Sequence, residues 1–116
     1  MNRHAWAMLP FLLSIVLAHP ATGADWPQYR GPTGNGVSSE AKAPLEWNDT
    51  KNIKWKTALP GPGSSSPIVS GGCVFVTCYS GYGVNPEVSG GIEDLKRHLL
   101  CLKLGDGKVV WSRSVD

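Results

Sequence analysis

The sequence predicts an all-β fold, a four-stranded antiparallel meander with one extra strand before it. Three observations predict this class. Short runs rich in β-branched and aromatic residues alternate with glycine-containing turns along the second half of the chain. No window shows a sustained apolar period of 3.6 residues, which is the pattern of an amphipathic helix. The 14 glycines and 9 prolines also favour turns and irregular segments over helices.

The meander strands are predicted over residues 66–70, 74–79, 98–104 and 109–115. Gly71 and Gly72 separate the first two strands. Gly105-Asp106-Gly107 separates the last two, and an Asp-Gly pair between β-rich runs is a strong hairpin signal. The connection over residues 80–96 is longer than a usual hairpin loop, which favours a decorated loop at one end of the sheet. The extra strand is predicted over residues 53–59.

Residues 1–24 have the pattern of a secretory signal peptide. A basic start at Arg3 precedes an apolar stretch over residues 5–18, and small residues follow up to Ala24. The apolar stretch is too short for a membrane-spanning helix. We expect cleavage after Ala24 and a periplasmic or extracellular protein. No cysteine follows the stretch, so no lipid anchor to a membrane is expected.

Two further segments follow the leader in the predicted organisation. Residues 25–51 are rich in glycine, proline and polar side chains, and we expect an irregular N-terminal arm. Residues 52–116 hold all the predicted strands. The formal net charge is only +2, and the sequence has no cluster of basic residues. Nucleic acid is therefore not an expected partner.

The last predicted hairpin carries a motif with a family resemblance. Its sequence is Cys101-Leu-Lys-Leu-Gly-Asp106-Gly107-Lys108-Val-Val-Trp111. This run resembles the tryptophan-docking motif of the PQQ-like (quinoprotein alcohol dehydrogenase-like) β-propeller repeats, A-x-D-x-x-T-G-K-x-x-W. It matches the family pattern at Gly107, Lys108 and Trp111. It departs from the pattern at Cys101, Lys103 and Asp106.

The resemblance extends over most of the chain that follows the leader. Residues 64–79 resemble the opening of such a repeat, and residues 25–32 resemble the start of the mature domain in secreted bacterial members. The resemblance implies one propeller blade, with Gly107, Lys108 and Trp111 as a structural motif that docks one blade onto the next. It also implies an N-terminal fragment whose partners are the missing blades. Trp111 is then expected to be substantially exposed, or covered only by the arm.

The function implied by the resemblance is that of a secreted, non-catalytic binding or scaffold module for an unknown protein or small-molecule ligand. One alternative is the N-terminal piece of a PQQ-dependent quinoprotein dehydrogenase, which would hold PQQ and calcium at the propeller axis. A second alternative is an outer-membrane assembly factor, which the missing lipid anchor disfavours. This chain by itself is expected to bind no cofactor.

The residues that carry reactive side chains are few. The three cysteines cannot all pair within the chain, and Cys73 and Cys78, five apart on one strand, should point to opposite faces. Cys101 could bridge either of them, with Cys78 slightly favoured, or all three could remain thiols. His98 and Cys101, three apart, should also lie on opposite faces, so a shared metal is not expected. The serines at 64–66 have no evident base. No catalytic or metal-ligating residue is therefore predicted.

Overall fold

The computed structural model describes residues 24–39 and 43–116, and over these residues the fold is all-β. The strands are β1 (Ile68–Ser70), β2 (Cys73–Ser80), β3 (Lys96–Lys103) and β4 (Val109–Val115). They form one antiparallel sheet in the order β1-β2-β3-β4. One turn of 3-10 helix, Ile92–Asp94, lies in the long connection between β2 and β3. The predicted four-stranded meander is confirmed, whereas the leader predicted over residues 1–24 lies, except for Ala24, outside the described residues.

The strand bounds follow the sequence pattern to within two residues. β1 begins at Ile68 instead of residue 66 because Pro67 has no N–H to give to a β-ladder. β3 begins at Lys96, two residues earlier than predicted. The turn between β1 and β2 uses Gly71 and Gly72, whose φ angles are +56° and +77°. Side chains rarely tolerate this left-handed backbone, so glycine is required there.

The two faces of the sheet have different environments. The register pairs Val74 with Leu102 and Val76 with Leu100, so these side chains share one face. We call this the packed face, formed by Val74, Val76, Cys78, Leu100 and Leu102. The opposite face, which we call the uncovered face, carries Ile68, Phe75, Leu99, Cys101, Trp111 and Val115.

Residues 53–63, which we call the strap, cover the packed face. The indole N–H of Trp55 donates to the Leu104 carbonyl oxygen at 2.9 Å, and the Thr57 hydroxyl donates to the Gly107 carbonyl oxygen at 2.7 Å. Trp55 and Leu59 pack against the buried side chains below them.

The prediction of a strand over residues 53–59 is wrong, because this segment is not a strand and belongs to no sheet. It crosses the face of the sheet instead of lying beside an edge strand, so its backbone has no ladder to join. Its β-rich composition serves packing through the side chains of Trp55 and Leu59.

The strap then turns along the edge of β2 that β1 leaves unpaired. The Tyr79 N–H donates to the Pro62 carbonyl oxygen at 2.9 Å. A Cβ atom on Gly63 would lie 2.5 Å from the Thr77 carbonyl oxygen. Because the two backbones approach so closely, this position requires glycine.

The N-terminal arm contributes one bridge to the sheet. Trp26 and Val69 exchange two backbone hydrogen bonds of 2.8 and 2.9 Å across the outer edge of β1. The Asp25 carboxylate accepts the Gly71 N–H at 3.2 Å. The arm was predicted to be irregular, and apart from this bridge it contains no strand or helix within the described residues.

The core of the described residues is small. Its buried hydrophobic members are Cys78, Leu100, Cys101 and Leu102. Three of these lie on the packed face, under the strap. A single sheet packed on one face buries little apolar surface, so we expect a domain of low intrinsic stability.

Candidate docking face

The uncovered face presents an aromatic pair on a row of three paired residues. The register places Phe75 opposite Cys101 and Cys101 opposite Trp111, so the three side chains lie side by side across β2, β3 and β4. The rings of Phe75 and Trp111 are 6.0 Å apart between centroids and tilted by 52°. Their contact shields Cys101, which is buried although no other layer of the described chain covers this face.

Three apolar side chains of this face are exposed to solvent. The exposed fraction is 37% for Trp111, 39% for Leu99 and 61% for Val115. Several large apolar side chains exposed on one face commonly mark a site of protein interaction. Trp111 contacts Phe75 of β2, and no arm residue makes a ring contact with it within the described part of the chain.

A β-bulge decides on which face Trp111 lies. Leu102 pairs with Val109, but Cys101 pairs with Trp111, so Val110 is the extra residue. Without the bulge, Cys101 would face Val110, and Trp111 would lie opposite Leu100 on the packed face. A shift of one residue moves a side chain to the other face of a sheet. The bulge therefore places the tryptophan on the uncovered face.

The three residues of the predicted docking motif lie in three different environments. Gly107 has φ +71° and lies directly beneath Trp55 and Thr57 of the strap. Lys108 is at the solvated turn, where its ammonium lies 3.7 Å from the Asp106 carboxylate. Trp111 lies on the uncovered face. The structure thus brings Gly107 into contact with the strap and leaves only Trp111 of the three on the open apolar surface.

Two arginines flank one end of the uncovered face. A cleft of about 550 Å³ there is lined by Tyr79, Arg97, Leu99, Arg113 and Val115, among others. Within residues 24–39 and 43–116, neither guanidinium has a carboxylate partner. The apolar face therefore has a positively charged end.

A histidine network that the sequence did not reveal crosses the packed-face side of the sheet. The Ser80 hydroxyl lies 2.8 Å from His98 Nε2, and the Ser114 hydroxyl lies 2.8 Å from His98 Nδ1. The register pairs His98 with Ser114, and this pairing could not be read before the strands were aligned.

The network differs from a catalytic arrangement in its third member. A nucleophile and base pair is normally oriented by a carboxylate, which stabilises the imidazolium, and a hydroxyl does not supply that charge. The serines at 64–66, which the sequence singled out, do not contact His98; Ser65 instead bonds to the backbone of Thr77. We assign the His98 network to holding β2, β3 and β4 together.

Of the cysteine arrangements that the sequence left open, the structure has the three free thiols, with Cys73 and Cys78 on opposite faces as predicted. Cys78 lies on the packed face, opposite His98. The slight preference for pairing Cys101 with Cys78 was wrong, because Cys101 lies on the other face. Cys73 shares that face with Cys101. Burial, and then the neighbouring Cys73 thiol, raise the pKa of Cys101.

The expected separation of His98 from Cys101 is confirmed, since the two residues lie on opposite faces of β3. In the part of the chain that the structure describes, no three histidine, cysteine or acidic side chains come together as metal ligands. No helix among the described residues has the length and apolar character needed to cross a membrane.

Glu93 and Asp94, two adjacent acidic residues in the loop between β2 and β3, do not by themselves fit the calcium ion implied by the dehydrogenase alternative. Calcium takes six to eight oxygen ligands. Asp94 already accepts the Gly91 N–H at 2.9 Å, and the adjacent Glu93 is a single further carboxylate.

Comparison with protein-family models, with curated proteins and with solved structures found no match to this chain. The evidence for the all-β class and the four-stranded antiparallel order is the sheet itself.

Proposed function

We propose that this chain is a propeller-blade repeat of the PQQ-like type, secreted, and that it acts as a non-catalytic binding or scaffold module. In this proposal the uncovered face packs against a neighbouring sheet of the same kind. The observation that carries the proposal is the exposure of Leu99, Trp111 and Val115 on one face of the sheet, beside the Phe75 ring.

Physical chemistry favours a covering layer on this face. Burial of apolar surface is worth about 25 cal/mol per Å², so covering one large aromatic side chain contributes about 2 kcal/mol. Sheets satisfy such faces by packing about 10 Å apart with interdigitated side chains. The strap already covers the packed face, whereas no described residue covers the uncovered face.

The resemblance of the β3–β4 hairpin to the docking motif supports the same proposal. In the family the motif tryptophan locks one blade onto the next. Here the bulge at Val110 places Trp111 on the side of the sheet that is free to meet another layer. The proposal needs no catalytic group and no bound cofactor.

The docking proposal is tested by self-association, since a second copy is a sheet of the same kind. We expect the full chain, expressed with its own N-terminal segment, to associate with rising concentration in sedimentation velocity. Trp111→Lys should shift it to monomer, because a charge on this face would have to be desolvated in the complex. Trp47→Lys is the matched control, since Trp47 is 70% exposed and lies in the arm.

A second variant separates loss of docking from loss of folding. Val115→Lys adds a charge to the same face at a position that is already 61% exposed, so its circular dichroism spectrum should match that of the unsubstituted chain. It too should weaken association. A chain that stays monomeric at all concentrations and unfolds cooperatively would overturn the docking proposal.

Secretion is tested separately by mass spectrometry of the same preparation. We expect the protein in the periplasmic fraction of a Gram-negative host, with Asp25 as its first residue. An uncleaved product in the cytosolic fraction would contradict the secretion part of the proposal and leave the docking part standing.

A further inference from the structure

The register places Cys73 and Cys101 diagonally across from each other on the uncovered face. β2 and β3 pair Cys73 with Lys103 and Phe75 with Cys101. The Leu104 N–H donates to the Gly72 carbonyl oxygen at 2.9 Å, so the pairs at Cys73 and at Cys101 are the non-hydrogen-bonded ones. Cross-strand side chains approach most closely at such pairs.

The twist of the sheet shortens the distance between Cys73 and Cys101. Paired strands have a right-handed twist, which brings one diagonal of a non-hydrogen-bonded site closer than the other. Cys73 and Cys101 occupy the closer diagonal, and the bulge beside Cys101 increases the local twist. Cys73 is also near enough to Cys101 to contribute, after burial, to the raised pKa of Cys101. Cys78 is separated from both by the thickness of the sheet.

We propose that Cys73 and Cys101 are a redox-sensitive pair that a small or protein disulfide oxidises to an intramolecular cross-link between β2 and β3. This site belongs to the chain itself and does not depend on the docking proposal. Its chemistry is thiol–disulfide exchange, with the external disulfide as the two-electron oxidant.

The exchange proceeds in two balanced steps. The Cys73 thiolate attacks one sulfur of the external disulfide, forms a mixed disulfide and releases the first thiolate. Cys101 then loses its proton to solvent and attacks the Cys73 sulfur, which breaks the mixed bond and releases the second thiolate. The protein loses two hydrogens in total, and the external disulfide becomes two thiols.

The order of attack follows from exposure. Cys73 is only half-buried and can be reached from solvent, whereas Cys101 is buried between Phe75 and Trp111. Burial also raises the pKa of Cys101, so it remains a thiol at neutral pH. Cys101 is therefore the resolving residue, which acts once Cys73 carries the mixed disulfide.

The test uses the reduced full chain and glutathione disulfide as the oxidant. After oxidation the protein is denatured, its remaining thiols are alkylated, and its peptides are mapped by mass spectrometry without reduction. We expect one alkylated thiol, Cys78, and a cross-linked pair of peptides that contain Cys73 and Cys101. Three alkylated thiols, or a cross-link that includes Cys78, would overturn the proposal.

Matched variants link the result to the fold. Cys78→Ser should keep the cross-link and leave no free thiol, whereas Cys73→Ser should leave two free thiols and no cross-link. Oxidation of the unsubstituted chain in concentrated urea should give a mixture of all three pairings, because the register is then absent. The same mixture from the folded chain would mean that the geometry does not select the pair.

Discussion

Two adjacent leucines show how different the two faces of this sheet are. Leu100 is 3% exposed and Leu99 is 39% exposed, although they are neighbours on the same strand. Alternation puts them on opposite faces, and the strap covers only one of these faces. Burial here is therefore decided by what lies over the sheet and not by the apolar character of the residue. Antiparallel sheets tolerate this asymmetry when the open face is polar, but here it is largely apolar.

Truncation of each leucine in turn should show how differently the two faces contribute to stability. Leu100→Ala should lower the free energy of unfolding by about 2–5 kcal/mol, since it leaves a cavity in a small core. Leu99→Ala should cost less than about 1 kcal/mol, because the removed atoms are already partly in water. Urea denaturation followed by circular dichroism measures both. Equal losses would mean that both faces are covered in solution.

The turn between β3 and β4 offers a second contrast, between two glycines. Gly107→Ala should lower the free energy of unfolding by about 2 kcal/mol or more, because its φ is +71° and a new Cβ would lie 2.7 Å from the Thr57 hydroxyl. Gly105→Ala should be nearly neutral, since the space around it is open. Thermal unfolding of the two variants measures the difference. A neutral Gly107→Ala would contradict the seating of the strap on this turn.

Alkaline pH should reduce stability through Cys101, the buried residue of the uncovered face. The pKa of Cys101 is raised above its ordinary value of 9.0, so the folded state holds this proton more tightly than the unfolded state. The free energy of unfolding should therefore fall as pH rises from 9 through the folded-state pKa. Urea titrations under reducing conditions measure this slope. The slope should be smaller in Cys101→Ala, and an identical slope would contradict the assignment to Cys101.

The smallest effect is expected at the motif lysine. Lys108 is 82% exposed in its side chain, and its ammonium lies 3.7 Å from the Asp106 carboxylate. Lys108→Ala should change the free energy of unfolding by less than about 0.5 kcal/mol, because exposed ion pairs contribute little. Differential scanning calorimetry is sensitive enough to detect a larger change. A loss above 1 kcal/mol would show that the lysine has a partner beyond Asp106.

The strands were predictable because local chemistry decides them. β-branched runs end at glycine turns or at Pro67, so each boundary is visible in the sequence, and β4 was predicted over its observed residues, Val109–Val115. The opposite orientation of Cys73 and Cys78 followed from strand alternation alone.

Other features depend on alignment between distant segments, which a sequence pattern does not contain. The strap has strand-like composition, but whether it joins an edge or crosses a face depends on where an edge is free. The cysteine pairing depends on the register of β2 against β3, across a long loop. The same register brings Ser80 and Ser114 to His98. The face of Trp111 depends on one extra residue at the bulge.

The strap also has a consequence for the order of folding. The sheet joins neighbours in sequence, whereas the bonds from Trp55 to Leu104 and from Thr57 to Gly107 close loops of 49 and 50 residues. Such loops carry a larger closure entropy than the hairpin turns. We expect the hairpins to form first and the strap to close last, after the rate-limiting step. Weakening the strap should then speed unfolding and leave the folding rate nearly unchanged, so the time that this chain stays folded is determined largely by a segment outside its sheet.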